Sequence, residues 1–426
     1  MANNHSVAFE TAFQPRAALR REFLSVGDIF AIVAPLLQIV EFQMAGLLLA
    51  SDLVLVAALP IALIRHPDRL RQKPVPTILS LGAFWFAAQI VTDLVRGSAP
   101  EDYLRGWIKI FFVLVNFTVV WLVICGIRRR FILYGFGIAI GTIVSFYIHP
   151  SDDAIVAPWK FGLGVPITML VAMSAALLRR NRNLGIFLPL GALAVIHVYK
   201  DCRIFAVISI TTAIYSLFLM SAGPEKIGSV HRAMLALIVA SAIVIFALVY
   251  NHYSKLGVFG KYAQQKTEAQ SGEGGMLLGG RSEILGSSQA ILDSPLLGHG
   301  SWARDPKYAA ILADRSAALG YKHFQGRKPD DLIPTHSYLF GAWVDAGIAG
   351  GIFWLFMLCY AFHAIFKATG MEPLLPMFAF VGLLLMWDIL FSPLGTPTRF
   401  SAPFFMCAMI LLRRFQTAPP EPGWET

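Results

Sequence analysis

The chain has 426 residues, of which 56% are hydrophobic, and its mean hydropathy is +0.63. Because ordinary soluble domains are only about 45–50% apolar, this composition excludes that class and indicates a polytopic membrane protein. The formal net charge of +9 does not indicate nucleic-acid binding, since much of it lies in short basic connectors between apolar segments.

The first 25 residues contain "RAALRREF" but lack the apolar core and the small-residue cleavage site of a signal peptide. The first apolar segment is therefore expected to direct membrane insertion. A helix needs about 20 mostly apolar residues to cross the hydrocarbon core. On this basis we predict twelve spans, at 26–42, 45–64, 76–94, 106–126, 131–148, 160–178, 184–199, 203–221, 233–251, 338–366, 374–391 and 400–412.

The connectors alternate in charge along the chain. One set, which includes "RAALRR", "RHPDRLRQK", "IRRR" and "RRNR", carries eighteen Lys and Arg residues, and the other short connectors carry seven. The positive-inside rule places the first set, with both termini, in the cytoplasm. The remaining ten Lys and Arg residues lie in one long loop at 252–337, which is then extracytoplasmic.

We therefore predict an all-α fold with about twelve transmembrane helices and one long outer loop. It divides into an N-terminal bundle of about nine helices at 1–251, the loop domain at 252–337, and about three C-terminal helices with a tail at 338–426. The four cysteines show neither CxxC nor CxxH spacing, so they favour neither a disulfide framework nor a metal site. The glycines of "GFGIAIG" and "GIAGG" fit close helix packing in lipid.

The long loop has internal order in its sequence. The Gly-rich stretch at 270–280 is predicted to be flexible and ends at Arg281, where a short amphipathic helix begins. "PLLGHGSW" is predicted to form a turn, and residues 305–319 a second helix with Pro306 in its first turn. Such helices are expected to cover the mouth of the bundle, partly in the membrane interface.

Several ionisable residues fall at the predicted outer face. "HVYKDCRIF" contains Lys200 and Arg203, and charges at membrane depth usually face a cavity or a partner. These side chains can also reach the interface, with Arg203 paired to Asp201. His336, in "PTHSYLF", precedes an apolar segment, where a histidine is often a purely structural residue. Asp388, near the outer end of its span, can orient an imidazole or pair with an arginine.

Two arginines and a histidine on one face suit glycosyl transfer from a lipid diphosphate. Arginine binds phosphate oxygens bidentately and stays charged, and a histidine can accept a proton near neutral pH. Asp152 and Asp153 are an alternative, a divalent-metal site, although paired carboxylates are also common in solvated loops.

The order of these motifs resembles the O-antigen ligase and polymerase superfamily. The matching pieces are "KDCRIFAV", "LGGRSEIL" and "PTHSYLF", and "DSPLLGHGSW" is similar to that family's P-x-x-G-x-G stretch. The chain departs from the family pattern in having Cys202 where Ser is frequent and Ser337 where Asn is frequent. Ser337 can replace the Asn as a hydrogen-bond donor or as a helix cap.

The resemblance implies a GT-C-like membrane glycosyltransferase that needs no metal or other cofactor. Arg203 and Arg281, assisted by Lys200, would bind the undecaprenyl diphosphate leaving group, and His336 would activate the acceptor hydroxyl, with Asp388 and Ser337 in support. An O-antigen ligase would use lipid A–core as the acceptor, at the periplasmic face of the bacterial inner membrane. Its partners would be these two lipids and the membrane, without nucleic acid, and a monomer is the favoured state.

Three alternatives stay open at this stage. A polymerase of the same superfamily would extend the glycan on its carrier, and an O-oligosaccharyltransferase would transfer it to a protein. Many polymerases divide their arginines between two outer loops, whereas here one loop dominates, which favours the ligase by analogy. A transporter or flippase would place its ionisable residues near the midplane of the membrane rather than at the rim.

Overall fold

The computed structural model describes residues 24–44, 46–177, 184–222, 228–321, 331–369 and 374–417. The basic segments "RAALRR" and "RRNR", together with residues 322–330 of the long loop, lie outside the described residues. Nearly all the regular structure is helical, and the described strands form a single two-stranded antiparallel hairpin. We call the end of the bundle that carries residues 252–337 the loop end.

The helices before the long loop are numbered in chain order. They are α1 (Val26–Leu36), α2 (Ala50–Arg65), α3 (Pro67–Leu70), α4 (Val75–Arg96), α5 (Pro100–Val119), α6 (Arg128–Ile148), α7 (Asp152–Val156), α8 (Gly164–Leu177), α9 (Leu184–Tyr199), α10 (Arg203–Ala222) and α11 (Ser229–Lys255). Two π-helical turns, Val120–Ile124 and Trp159–Leu163, continue α5 and precede α8.

The long loop contributes four helices and the C-terminal part another four. They are α12 (Lys261–Ala269), α13 (Gly275–Gly279), α14 (Glu283–Asp293), α15 (Pro306–Ala318), α16 (Tyr338–Ala346), α17 (Ile348–Lys367), α18 (Leu375–Phe391) and α19 (Thr396–Phe415). The predicted loop helices are thus confirmed as α14 and α15, and Asp305 caps α15 ahead of Pro306.

Seven of the described helical segments are long and apolar enough to cross a membrane, which makes the chain a membrane protein. They begin at Val75, Pro100, Arg128, Trp159, Arg203, Ser229 and Ile348. The other predicted spans fall on helices that are shorter or carry more charge, such as α18 and α19. A total of twelve crossings therefore stays a prediction.

The first two predicted spans are wrong as continuous helices. After α1 the chain makes a 3-10 turn and then forms two short strands, β1 (Glu41–Gln43) and β2 (Leu47–Leu49), before α2 begins. The strands pair with Phe42 opposite Leu48. Since a hairpin satisfies its inner backbone groups by cross-strand hydrogen bonds, an apolar sequence can form it as readily as it continues a helix.

The predicted span 338–366 is also wrong as one helix, because the chain reverses at Gly347. This residue has φ of 64° and separates α16 from α17. The two helices run antiparallel and in close contact: a Cβ on Gly350 would lie 2.3 Å from the carbonyl oxygen of Ala342. Farther from the turn, the rings of Tyr338 and Trp354 are 4.9 Å apart.

Glycines also allow close contact between α1 and α6, as the sequence predicted. A Cβ on Gly137 would lie 2.8 Å from the carbonyl oxygen of Ile32, and one on Gly141 would lie 3.0 Å from that of Pro35. Such approaches matter in lipid, where helix association depends on van der Waals contact rather than on removing apolar surface from water.

We predict that Gly350→Ala destabilises the protein although alanine is the better helix former. The new methyl group would collide with backbone of α16, and overpacking of this kind costs about 1–3 kcal/mol. The measurement is the melting temperature of the purified protein in lipid nanodiscs. Gly191→Ala in α9 is the control, because a Cβ there meets no atom within 4 Å. Equal melting temperatures for the two variants would contradict the prediction.

Candidate active site at the loop end

A pocket at the loop end brings together three of the predicted residues, Arg281, His336 and Ser337. Its empty volume is about 220 Å³, including the part open to solvent, and its walls come from α14, the start of α16 and the end of α18. The lining residues are Arg281, Ile284, Ser287, His336, Ser337, Phe340, Leu390 and Phe391. The site thus joins a cationic group and an imidazole with hydroxyl groups and apolar side chains.

Arg281 presents an incompletely paired guanidinium to this region. Its Nη1 donates to the carbonyl oxygen of Gly280 at 2.8 Å, and its guanidinium carbon lies 5.5 Å from the centre of the Trp387 ring. Its Nε is buried without a hydrogen-bond partner. Burial lowers the pKa of Arg281, while the carboxylates of Glu283 and Asp388 act in the opposite direction. A desolvated cation with an unused donor favours an anionic ligand.

His336 lies in the wall of this pocket, beside the start of α16 and away from the turn at Gly347. It precedes Ser337, whose hydroxyl accepts a hydrogen bond from the backbone N–H of Phe340 at 3.1 Å and so caps α16. The same hydroxyl donates to the carbonyl oxygen of Ile389 at 2.7 Å. Because α16 runs antiparallel to α17 and rises 1.5 Å per residue, its start lies about 14 Å from the turn at Gly347.

Asp388 acts on the site through neighbouring groups. Its carboxylate forms hydrogen bonds with the side chains of Tyr338 and Ser392, and it lies within electrostatic range of Arg281. Tyr338 is the first residue of α16 and is fully buried. The predicted pairing of Asp388 with an arginine stays a prediction, while the interaction with Tyr338 ties α18 to the helix that follows His336.

Arg203 lies at the same end of the bundle in a second, well-paired group. Its guanidinium donates to Oε1 of Gln270 at 3.0 Å, is 3.8 Å from the Asp201 carboxylate and lies 5.0 Å from the centre of the Tyr250 ring. Gln270 also adjoins Gly280, since a Cβ on that glycine would lie 3.5 Å from its amide nitrogen. Arg203 is therefore connected through one side chain to the residue before Arg281.

The remaining predicted residues are less central. Lys200 is exposed, with its ammonium 5.6 Å from the centre of the Tyr199 ring. Asp152 and Asp153 are exposed in the first turn of α7. Across the described parts of the chain, no group of three or more His, Cys, Asp or Glu side chains is arranged to hold a metal ion.

The Gly-rich stretch at 270–280 has a packing role that the sequence did not indicate. A Cβ on Gly272, Gly274 or Gly279 would lie within 2.7 Å of the Tyr321 side chain. The hydroxyl of Tyr321 also donates to the carbonyl oxygen of Gly275 at 3.0 Å. These glycines let the chain pack closely around the Tyr321 ring. This packing fixes the position of the end of the stretch, which Arg281 follows.

Asp93 is a structural residue that the sequence analysis missed. Its buried carboxylate accepts hydrogen bonds from the Ser301 backbone N–H at 2.6 Å and hydroxyl at 2.8 Å. It also accepts from the Trp107 indole at 2.9 Å, the Ser98 hydroxyl at 2.8 Å and the Gln89 amide at 3.1 Å. The predicted turn "PLLGHGSW" is thereby confirmed and anchored to α4. The feature of the sequence that could have identified Asp93 is its position as a lone acidic residue near the end of an apolar segment.

No protein-family model matches the chain, and no curated protein matches it significantly. The geometry of the site and the order of the motifs in the sequence are therefore the indications of its function.

We predict that Asp93→Asn releases the turn at 295–302 from the bundle. The NH2 group of the asparagine cannot accept hydrogen bonds, so several of the five donors would lose their acceptor. Each hydrogen bond to a buried charge contributes about 1.5–3 kcal/mol. Hydrogen exchange of residues 295–302 should accelerate by about tenfold or more. Glu101→Gln, at an exposed carboxylate of α5, is the matched control. Unchanged exchange in Asp93→Asn would refute the anchoring role.

Proposed function

We propose that the protein is a glycosyltransferase that moves a glycan from a polyprenyl diphosphate carrier to a hydroxyl acceptor. The observation that carries this proposal is the pocket shared by Arg281 and His336, in which a guanidinium Nε is buried without a partner. Such a pair supplies the two functions that transfer from a diphosphate requires, namely charge stabilisation and proton removal.

In the proposed reaction, His336 takes the proton of the acceptor hydroxyl as its oxygen attacks the anomeric carbon. The bond from that carbon to the diphosphate oxygen breaks, and the diphosphate leaves with the bonding electrons. Arg281, with Arg203 behind it, neutralises the charge that grows on the leaving group. Attack opposite the leaving group inverts the anomeric centre, and the residues assigned here act without a metal.

The space available also bears on the substrate. The pocket is small and partly open to solvent, whereas a glycan and a polyprenyl chain are far larger. These parts of a donor would lie outside the pocket, the glycan towards solvent and the lipid along the bundle. Phe340, Leu390 and Phe391 form an apolar wall of the pocket, and such a low-dielectric surface strengthens the electrostatic interactions beside it.

The specific assignment that we favour is O-antigen ligase, with undecaprenyl diphosphate as the carrier and a sugar of lipid A–core as the acceptor at the periplasmic face. It is supported by the order of the Arg203, Arg281 and His336 motifs and by the single long loop. A polymerase or an O-oligosaccharyltransferase would use the same donor site with another acceptor.

We predict that His336→Ala lowers transfer from a polyprenyl diphosphate-linked glycan by about 100-fold or more, because the general base is lost. Donor binding should persist, since the arginines remain. Both are measured with purified protein in nanodiscs, by product formation and by donor binding. His149→Ala, at an exposed histidine before α7, is the control. Full transfer activity in His336→Ala would eliminate the base assignment.

We predict that Arg281→Gln weakens donor binding or slows turnover by about tenfold or more, with Arg281→Lys intermediate because a lysine keeps the charge but not the fork of donors. Kinetics with increasing donor concentration separate the two effects. Activity should also survive a chelator. Strict dependence on an added divalent metal would instead implicate Asp152 and Asp153.

The glycolipid profile of a deletion strain distinguishes the acceptors. Loss of all core-linked polysaccharide, with long carrier-linked chains still present, is the result expected for a ligase. Core that carries one repeat unit would indicate a polymerase, and an unchanged lipopolysaccharide with an unglycosylated protein would indicate an O-oligosaccharyltransferase.

A further inference from the structure

Two lysines that the proposed reaction does not use lie beside its arginines. Lys160 lies within electrostatic range of Arg281, Lys266, Asp201 and Cys202. Lys266 forms an ion pair with Asp201 at 2.5 Å. We call Lys160, Arg203, Lys266 and Arg281 the cation cluster. They come from four separate segments: the π-helical turn before α8, the start of α10, α12 and the residue after Gly280.

The turn that carries Lys160 is held firmly against the connector between α9 and α10. The Trp159 indole donates to Nδ1 of the buried His197 at 2.8 Å, and Nε2 of His197 lies 2.9 Å from the Thr168 hydroxyl. Gly164 packs on the same connector, since a Cβ there would lie 3.0 Å from the Phe205 ring. A π-helical turn often marks a functional position, and here these contacts hold the turn against His197 and Phe205, on either side of Arg203 in the chain.

The charges around Lys160 are unbalanced. Asp201 is the one carboxylate among its electrostatic neighbours, and that carboxylate already accepts hydrogen bonds from Lys266 and from the Tyr250 hydroxyl. Glu283 and Asp388 act on Arg281 from its other side. Partly buried like charges repel more strongly than they would in water. An anion placed between Lys160 and Arg281 would relieve this repulsion.

We propose that Lys160 binds the second phosphate of a diphosphate ligand whose first phosphate lies in the pocket with Arg281. This inference rests on the proposed function, because it takes the diphosphate as the ligand class. Lys160 fits the role better than Lys266, since the Lys266 ammonium is engaged by Asp201. A lysine supplies three donors on a flexible stem, which suits a phosphate that must enter and later leave.

The test uses the full-length protein in nanodiscs of zwitterionic lipid, with inorganic pyrophosphate and orthophosphate as probes. The wild type is expected to bind pyrophosphate about tenfold more tightly than orthophosphate, since only pyrophosphate can reach both subsites. Lys160→Gln should weaken pyrophosphate binding about tenfold and leave orthophosphate binding unchanged. Lys160→Arg should retain most of the affinity and shows that the position tolerates substitution. Lys261→Gln, at an exposed lysine of α12, removes the same charge as a control.

Three results would overturn the inference. One is unchanged pyrophosphate binding in Lys160→Gln, and another is an equal loss for both probes, which would indicate a general field effect. The third is loss of wild-type pyrophosphate binding when phosphatidylglycerol is added to the nanodiscs, because the subsite would then belong to a lipid headgroup. Transfer by His336→Ala is measured separately. A Lys160 effect with full transfer in His336→Ala would leave this inference standing while the base assignment fails.

Discussion

The buried carboxylate of Asp93 is the constraint on which the site depends. A charge in this position must be satisfied within the protein, and five donors from α4, the α4–α5 connector, α5 and the turn at 295–302 meet that need. The same turn also contacts the chain reversal between α16 and α17. A Cβ on Gly298 would lie 2.5 Å from the backbone nitrogen of Gly347. The position of α14, and so of Arg281, relative to α16 follows from this contact between two glycines.

The distribution of charge differs between the interior of the bundle and the loop end. One ion pair, Asp52 with Arg399, lies deep among the helices, and its groups are 0% and 7% exposed. Asn116 donates to the same carboxylate at 2.9 Å, and Arg399 also reaches the carbonyl oxygen of Leu47 at 3.1 Å. This pair fastens α2 and the β-hairpin to α19, a structural task. The cation cluster, by contrast, lies at the loop end, where four cationic groups share the carboxylates of Asp201, Glu283 and Asp388.

Some of the architecture could be predicted from the sequence because it depends on local rules. Apolar segments of sufficient length must be helical in lipid, since no water is present to satisfy their backbone groups. Proline and a capping aspartate located α15, and Ser337 caps α16 as its residue type allowed. The order of Arg203, Arg281 and His336 could also be read directly, and so could the packing role of Gly137 and Gly350.

Other features depend on contacts between residues far apart in the chain, which no local pattern encodes. Apolar composition by itself predicted one helix through 338–366, whereas the contact of Gly347 with Leu296 and the approach of Gly350 to Ala342 reverse the chain and place His336 away from the turn at Gly347. The same holds for Lys160, whose turn is held in place by the packing of Trp159 on His197 and which lies within electrostatic range of Arg281. The sequence by itself determined the helical membrane class and the candidate residues. Only the tertiary structure decided which of them share a pocket, because close approach and shared burial arise when separate segments pack together.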